Sequence, residues 1–185
     1  MNKYLIALGS NLPSNQLTSL EVLKKTLLSI SQFEMNVIKV STWWESKAFP
    51  KDVGPNYING VVKVSSKLMP QEALIRLKKI EMIAGRKTSE RWGNRTLDLD
   101  LLACGNMILP SRTLFMEWFL LPICLQLKKE PKQLILPHPR IQDRLFVLKP
   151  LAEVSPNWVH PVLRKKPKEI IDENVWKPED FLRPL

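Results

Sequence analysis

The sequence predicts an α+β fold in which helices pack on an antiparallel sheet, and three observations carry that expectation. Short apolar, β-branched segments alternate with two segments whose apolar residues recur at helical spacing. They come in the order strand, helix, strand, strand, helix, strand. The 185 residues suffice for one well-packed domain, whereas a division in two would leave each half short of core.

Residues 3–8 are short and apolar and run into Gly9-Ser10-Asn11-Leu12-Pro13, so they read as a buried strand ending in a tight polar loop. Leu17, Leu20, Leu23, Leu27 and Ile30 then mark one face of an amphipathic helix. Residues 37–44 and 57–65 are strands rich in β-branched and aromatic residues, separated by a Pro- and Gly-bearing loop, and as consecutive strands they are expected to be antiparallel neighbours. Asn59-Gly60 could form a hairpin turn, but its flanks are too unequal, and the strand reading is kept. Pro70 opens a second helix with Ala73, Leu74, Leu77, Ile80 and Ile83 on its apolar face and Gly85 at its end. Residues 96–104 alternate as a strand and complete a β-α-β-β-α-β core, the ferredoxin-like order, with both helices on one face of the sheet over a single core. Residues 107–136 lack a clean period and read as an irregular excursion. Extra C-terminal elements follow: a Pro-His-Pro turn, an apolar stretch at 145–154 broken by Pro150, and a short helix at 168–173.

Composition narrows the class. Hydrophobic residues make up 44% and charged residues 25%, the balance of a folded, soluble chain. Lys and Arg outnumber Asp and Glu by 28 to 18, which favours anionic partners without choosing among nucleotides, polyphosphates and nucleic acid. Cys104 and Cys124 form no metal-ligand or redox pattern, and no export signal or membrane span is read, so a reduced, cytoplasmic setting is expected.

The chemistry concentrates in Arg91-Trp92-Gly93-Asn94-Arg95-Thr96-Leu97-Asp98-Leu99-Asp100. On a strand Asp98 and Asp100 project to one face while Leu97, Leu99 and Leu101 enter the core. Two carboxylates so close repel unless cations neutralise them, and hard oxygen ligands suit magnesium. Spacing alone leaves a solvated strand face equally open. Aspartate is nevertheless disfavoured in strands, and Arg86, Arg91 and Arg95 just upstream are the side chains that grip phosphate, which tips the reading toward metal-phosphate chemistry.

The same segment resembles the signature of the 6-hydroxymethyl-7,8-dihydropterin pyrophosphokinase family of folate synthesis. Ala7-Leu8-Gly9-Ser10-Asn11-Leu12, Gly54-Pro55-Asn56-Tyr57-Ile58-Asn59, Leu136-Pro137-His138-Pro139-Arg140, Asp143-Arg144, Phe146 and Pro150-Leu151-Ala152-Glu153 are similar to further family segments, in the family's order. The resemblance implies an enzyme that takes ATP and 6-hydroxymethyl-7,8-dihydropterin and releases AMP. It implies that Asp98 and Asp100 hold two magnesium ions, that Tyr57 and Phe146 sandwich the pterin ring, and that the Asn59 amide reads its polar edge. Arg86 and Arg95 would act on the phosphates as charge shifts to the leaving AMP, and Trp92 would sit in a loop closing over the substrates. Glu81, His138 and Arg144, with Arg95, would line the nucleotide site. Core packing is the plain alternative for Tyr57 and Phe146.

The chain also departs from the pattern. The loop from Arg86 to Arg91 is one residue shorter than in some members and carries Lys87-Thr88-Ser89 where further arginine is often found. Residues 114–132 form an insertion in an otherwise single domain spanning 1–185, whose Phe115, Trp118 and Phe119 are read as a local cover in preference to a partner site. A rival reading is an RNA-binding module whose Trp43 and Trp44 stack bases, but the RNP pattern is missing and the basic residues are scattered. A monomer that binds neither nucleic acid nor membrane is expected.

Overall fold

The structure, a computed structural model, describes the chain except residues 15, 49–53, 86–93, 123–124, 126–127 and 181 and the side chain of residue 179. Its elements in chain order are β1 (Asn2–Ser10), α1 (Ser19–Gln32), β2 (Asn36–Val40), β3 (Trp44–Ser46), β4 (Tyr57–Ser66), α2 (Pro70–Ile83), β5 (Asp98–Cys104), α3 (Arg112–Phe119), α4 (Leu145–Val154), α5 (Pro167–Glu173) and β6 (Arg183–Pro184), with 3-10 turns at Ile141–Asp143 and Pro178–Asp180. The sheet runs β5-β1-β4-β3-β6, and β2 also pairs with β4. Every pairing is antiparallel, which is the expected ferredoxin-like order with one short strand added at the edge.

The strand expected at 37–44 is divided into β2 and β3. At the break the Ser41 hydroxyl accepts the Val61 N–H at 2.9 Å, replacing a ladder carbonyl. Gly60 makes room for Trp43: a Cβ there would lie 2.6 Å from the indole, so glycine permits the close approach.

Helix starts follow local chemistry. Thr18 caps α1 by accepting the Glu21 N–H at 3.3 Å, and the Glu21 carboxylate accepts the Thr18 N–H at 2.8 Å. Pro70 opens α2, and Glu72 accepts the Met69 N–H at 2.7 Å. Both helices lie on one sheet face, where Val22, Leu23, Ile30, Ala73, Leu77 and Ile80 pack against Tyr4, Ile6, Leu8, Val62, Val64, Leu97, Leu99 and Leu101.

The expected single core is instead two. On the opposite face Leu5, Val61 and Leu102 pack against Val147, Leu148, Leu151 and Val154 of α4 and Ile170 of α5. The stretch expected to break at Pro150 is one continuous helix. An interior proline costs about 3 kcal/mol and removes the N–H that would reach the carbonyl of Phe146. Burial of Val147, Leu148, Leu151 and Val154 contributes roughly 1.5–3 kcal/mol each, which outweighs that cost. No helix among the described residues is long and apolar enough to cross a membrane.

The excursion after β5 leaves and returns at a two-residue bridge, Leu109 to Leu136, with N–H to carbonyl distances of 2.8 and 3.1 Å. Within it α3 forms where no periodicity was legible, because its eight residues are too few to show one. Ser111 caps its start through the Leu114 N–H at 3.2 Å. At its end the Arg140 guanidinium donates to the carbonyls of Trp118, Phe119 and Leu121 at 2.5, 3.0 and 3.1 Å. Phe115 is fully buried and meets the His160 ring at 5.9 Å between centroids.

His160 is itself fully buried, and its Nδ1 accepts the N–H groups of Val162 and Leu163 at 3.3 and 3.1 Å. Burial holds its pKa down to about 4, against 6.5 for an exposed histidine. The unfolded chain therefore takes up the proton first. Stability from this residue is complete above pH 6.5 and lost as pH falls toward 4, by about 3 kcal/mol in all. Denaturant melts from pH 7 to 4.5 should show a shallower decline for His160→Leu than for the wild type; equal slopes would contradict this assignment.

Candidate active site

One row across the sheet sets the site. Gly9 on β1 faces Asp98 on β5 and Asn59 on β4, and Asn59 in turn faces Trp44 on β3. Side chains in register share a face, so Asp98, Asn59 and Tyr57 surround Gly9 beyond the N-terminal end of α4. A Cβ on Gly9 would stand 3.5 Å from Asn59 Oδ1, 3.8 Å from Tyr57 Cδ1 and 4.0 Å from Asp98 Cβ. Glycine is thus an open floor between the carboxylate strand and the Tyr57–Asn59 strand.

Asp98 and Asp100 project from β5 as alternation requires, while Leu97, Leu99 and Leu101 are buried behind them. Arg95 forms an ion pair with Asp98. Asp100 accepts from Arg144 Nη1 at 3.1 Å and lies 4.0 Å from His138 Nε2. Burial alone would raise the Asp100 pKa, but positive charge on His138, Arg144, Lys78 and Arg95 outweighs it and brings the group down to about 2. Burial, reinforced by Arg144, lowers His138 to about 4, so near neutral pH its ring is uncharged and the three cationic side chains act on Asp100. The Arg140 N–H donates to His138 Nδ1 at 3.1 Å, which leaves the ring proton on Nε2, facing Asp100.

The outer edge of β5 is held from two sides. Glu81 of α2, only 1% exposed, accepts the Leu99 N–H at 2.7 Å and pairs with Lys78 at 3.0 Å. Glu81 therefore supports the strand between the two aspartates from within the protein. The His138 N–H donates to the Leu102 carbonyl at 2.7 Å and lays the Pro-His-Pro segment along the same edge.

On the other side of Gly9, Asn59 is buried and its Nδ2 donates to Ser46 Oγ at 2.9 Å. Tyr57 and Phe146 are partly buried, and the Arg144 guanidinium lies 5.9 Å from the Phe146 ring centre. Of the residues expected at the site, Tyr57, Asn59, Arg95, Asp98, Asp100, His138 and Arg144 come together on this face, with Phe146 at its margin and Glu81 behind. Arg86 and Trp92 lie outside the described residues.

Two residues in the matched segments had been given no role by sequence reasoning. Arg140 caps α3, as described above. Asn11, 3% exposed, ties three segments together: its Oδ1 accepts the Arg95 N–H at 2.7 Å, and its Nδ2 donates to Asn94 Oδ1 at 2.8 Å and to the Pro55 carbonyl at 3.2 Å. An asparagine directly after a buried strand was the available signal.

The two tryptophans of the RNA-binding reading are engaged within the fold. Trp43 packs over Gly60, and the Trp44 indole donates to Glu153 at 2.8 Å.

Residues 5–156 match the model of the 7,8-dihydro-6-hydroxymethylpterin-pyrophosphokinase (HPPK) family. The chain belongs to this family. It is 34% identical over 173 residues to the 2-amino-4-hydroxy-6-hydroxymethyldihydropteridine pyrophosphokinase of Aquifex aeolicus (strain VF5), covering 94% of this chain and 92% of that protein. It is 38% identical over 139 residues to the enzyme of the same name from Synechocystis, covering 75% of this chain but 60% of that protein. Its fold is similar to that of Plasmodium falciparum HPPK-DHPS, crystallised with pteroate, at a TM-score of 0.66 and 14% identity, over 93% of this chain and 44% of the longer one. Residues 157–185, with α5 and β6, lie beyond the HPPK family match.

For an HPPK site floored by Gly9, alanine brings only ordinary van der Waals contacts, whereas the branches of valine fill the space between Asp98 and Asn59. Gly9→Val is expected to lower turnover about 10²-fold, and Gly9→Ala far less, with both melting near the wild type. Equal activities for the two would show that the floor does not need to be open.

Proposed function

We propose that this chain transfers pyrophosphate from ATP to the hydroxymethyl oxygen of 6-hydroxymethyl-7,8-dihydropterin. The observation that carries the reading is the row of Asp98, Gly9 and Asn59, which sets a carboxylate pair beside the polar and aromatic wall of Asn59 and Tyr57. The hydroxyl oxygen attacks the β-phosphorus, the bond from that phosphorus to the oxygen it shares with the α-phosphorus breaks, AMP leaves, and the hydroxyl proton is released to solvent. Catalysis of this kind is alignment and electrostatics, without a covalent enzyme intermediate.

The donor set fits magnesium. Among the described residues no three of His, Cys, Asp and Glu form a cage, and magnesium is commonly held by one or two carboxylates with water and phosphate oxygens supplying the rest. Asp98 and Asp100 would hold two such ions, Asp100 remaining ionised at any physiological pH. When held there, magnesium would supply positive charge that offsets the charge of the polyphosphate.

The chain's own residues do the remaining work. Arg95 and Arg144, each already paired with one aspartate, present guanidinium groups to phosphate oxygens. His138 offers an Nε2 proton beside Asp100 for the nucleotide, and Glu81 holds β5 in place behind both. Tyr57 and Phe146 would flank the pterin ring, where stacking adds about 0.5–1.5 kcal/mol, and Asn59 would read its edge. Arg86 and Trp92 keep the phosphate and lid roles given them by the family pattern. The reading takes residues 1–185 as one cytoplasmic, monomeric pyrophosphokinase domain.

Purified protein incubated with ATP, magnesium and 6-hydroxymethyl-7,8-dihydropterin should yield AMP and the pterin diphosphate. Absence of pterin-dependent AMP across a wide concentration range would overturn the reading.

A further inference from the structure

We propose that Trp44 and Glu153 form a latch that positions the two walls of the pterin site relative to each other. The inference rests on the functional reading above. Trp44 is the β3 residue opposite Asn59, and its carbonyl lies 3.4 Å from Asn59 Nδ2. Its backbone therefore belongs to the wall that carries Asn59 and Tyr57. Its side chain reaches the other wall, because the indole Nε1–H donates to Glu153 Oε1 at 2.8 Å. Glu153 Oε2 accepts the Thr42 N–H at 2.7 Å, and the Glu153 carbonyl accepts from Lys39 Nζ at 2.7 Å. The Lys149 ammonium lies 5.1 Å from the centre of the Trp44 ring.

Four contacts thus join the last two turns of α4 to β2, β3 and the break between them. Phe146 stands on the first turn of that helix, two turns before Glu153 and on the same stripe. The other end of α4 is fixed by Arg144, its capping residue, through Asp100. The helix that presents Phe146 is consequently pinned at one end to the carboxylate strand and at the other to β2 and β3, the latter pairing with the strand that holds Asn59. Apolar packing beneath α4 is non-directional and permits small pivots, whereas a carboxylate receiving two N–H donors fixes an angle. The latch therefore sets the gap between Phe146 and the Tyr57–Asn59 wall, and it acts on the pterin more than on ATP.

Trp44→Phe keeps an aromatic ring and removes the indole donor; Glu153→Gln keeps the size and one acceptor oxygen and removes the charge. For each, the KM for the pterin should rise about tenfold while the KM for ATP and kcat stay within about twofold, since uniform binding of one substrate is what is lost. The double variant should be no worse than the poorer single one, because both remove the same contact. A merely structural role would lower the melting temperature and leave the two KM values in their original ratio. If Glu153→Gln fails to fold, Trp44→Phe decides alone. An active wild type with an unchanged pterin KM in Trp44→Phe overturns the latch only; a wild type without pterin-dependent AMP overturns the functional reading and the latch with it.

Discussion

Asp100→Asn is expected to reduce pterin-dependent AMP release roughly 10³-fold while the protein still folds, the size of loss that follows removal of one preorganised charge from a site where charge moves. Asparagine keeps the volume and an oxygen for Arg144, so what disappears is the negative charge. That charge is held firmly: the surrounding cations bring the carboxyl down to about 2. Without it Arg144, Lys78 and Arg95 are left with one fewer counter-ion, and the proposed magnesium site would lose one of its two carboxylates. The fold should survive, because β5 is secured by its ladder to β1, by the buried Leu97, Leu99 and Leu101, and by Glu81 at its outer edge. Asp98→Asn is expected to behave alike, with Arg95 losing its ion pair to Asp98. Turnover near the wild-type value in either variant, with an unchanged melting curve, would dismiss the carboxylate pair as the metal site.

The legibility of this site in the sequence divides along a physical line. Asp98 and Asp100 could be placed because strand alternation is a local rule, and the fold order could be read because α1 and α2 each carry a long apolar stripe. Features decided by contacts distant in sequence were hidden. The eight residues of α3 show no period, and its end is capped by Arg140, about twenty residues downstream. Pro150 reads locally as a break, yet burial of Val147, Leu148, Leu151 and Val154 carries the helix through it. The same burial produces the second core, which no local pattern announces. Glu81, assigned from its motif position to the nucleotide site, is buried and accepts the Leu99 N–H, a support for the strand that bears the aspartates that no local pattern showed.

Asn11 is the strongest instance of a residue whose work lies far along the chain, and Asn11→Ala is expected to cost about 3 kcal/mol of stability and to lower turnover roughly 10²-fold. The side chain gives three hydrogen bonds, to partners 44, 83 and 84 residues away. Alanine would leave the Arg95 N–H without its acceptor in a site that is nearly closed to water, a loss that carries the desolvation penalty of the donor as well as the bond. The functional consequence follows from what is tied: Arg95 faces Asp98, Pro55 precedes the Tyr57 strand, and Asn11 itself directly follows the strand that contributes Gly9. Loosening it lets Arg95 and the Tyr57–Asn59 wall drift independently. Asn11→Asp separates the two halves of the role. It keeps the acceptor for the Arg95 N–H but turns the donor toward Asn94 Oδ1 and the Pro55 carbonyl into a second acceptor, so repulsion replaces two bonds. Denaturant melts should therefore place Asn11→Asp between the wild type and Asn11→Ala, because the acceptor for the buried Arg95 N–H is kept. Wild-type stability and turnover in both variants would show that the loop after β1 holds its partners by backbone bonds alone, through the Asn11 and Leu12 N–H groups that meet the Arg95 carbonyl at 3.0 and 3.3 Å.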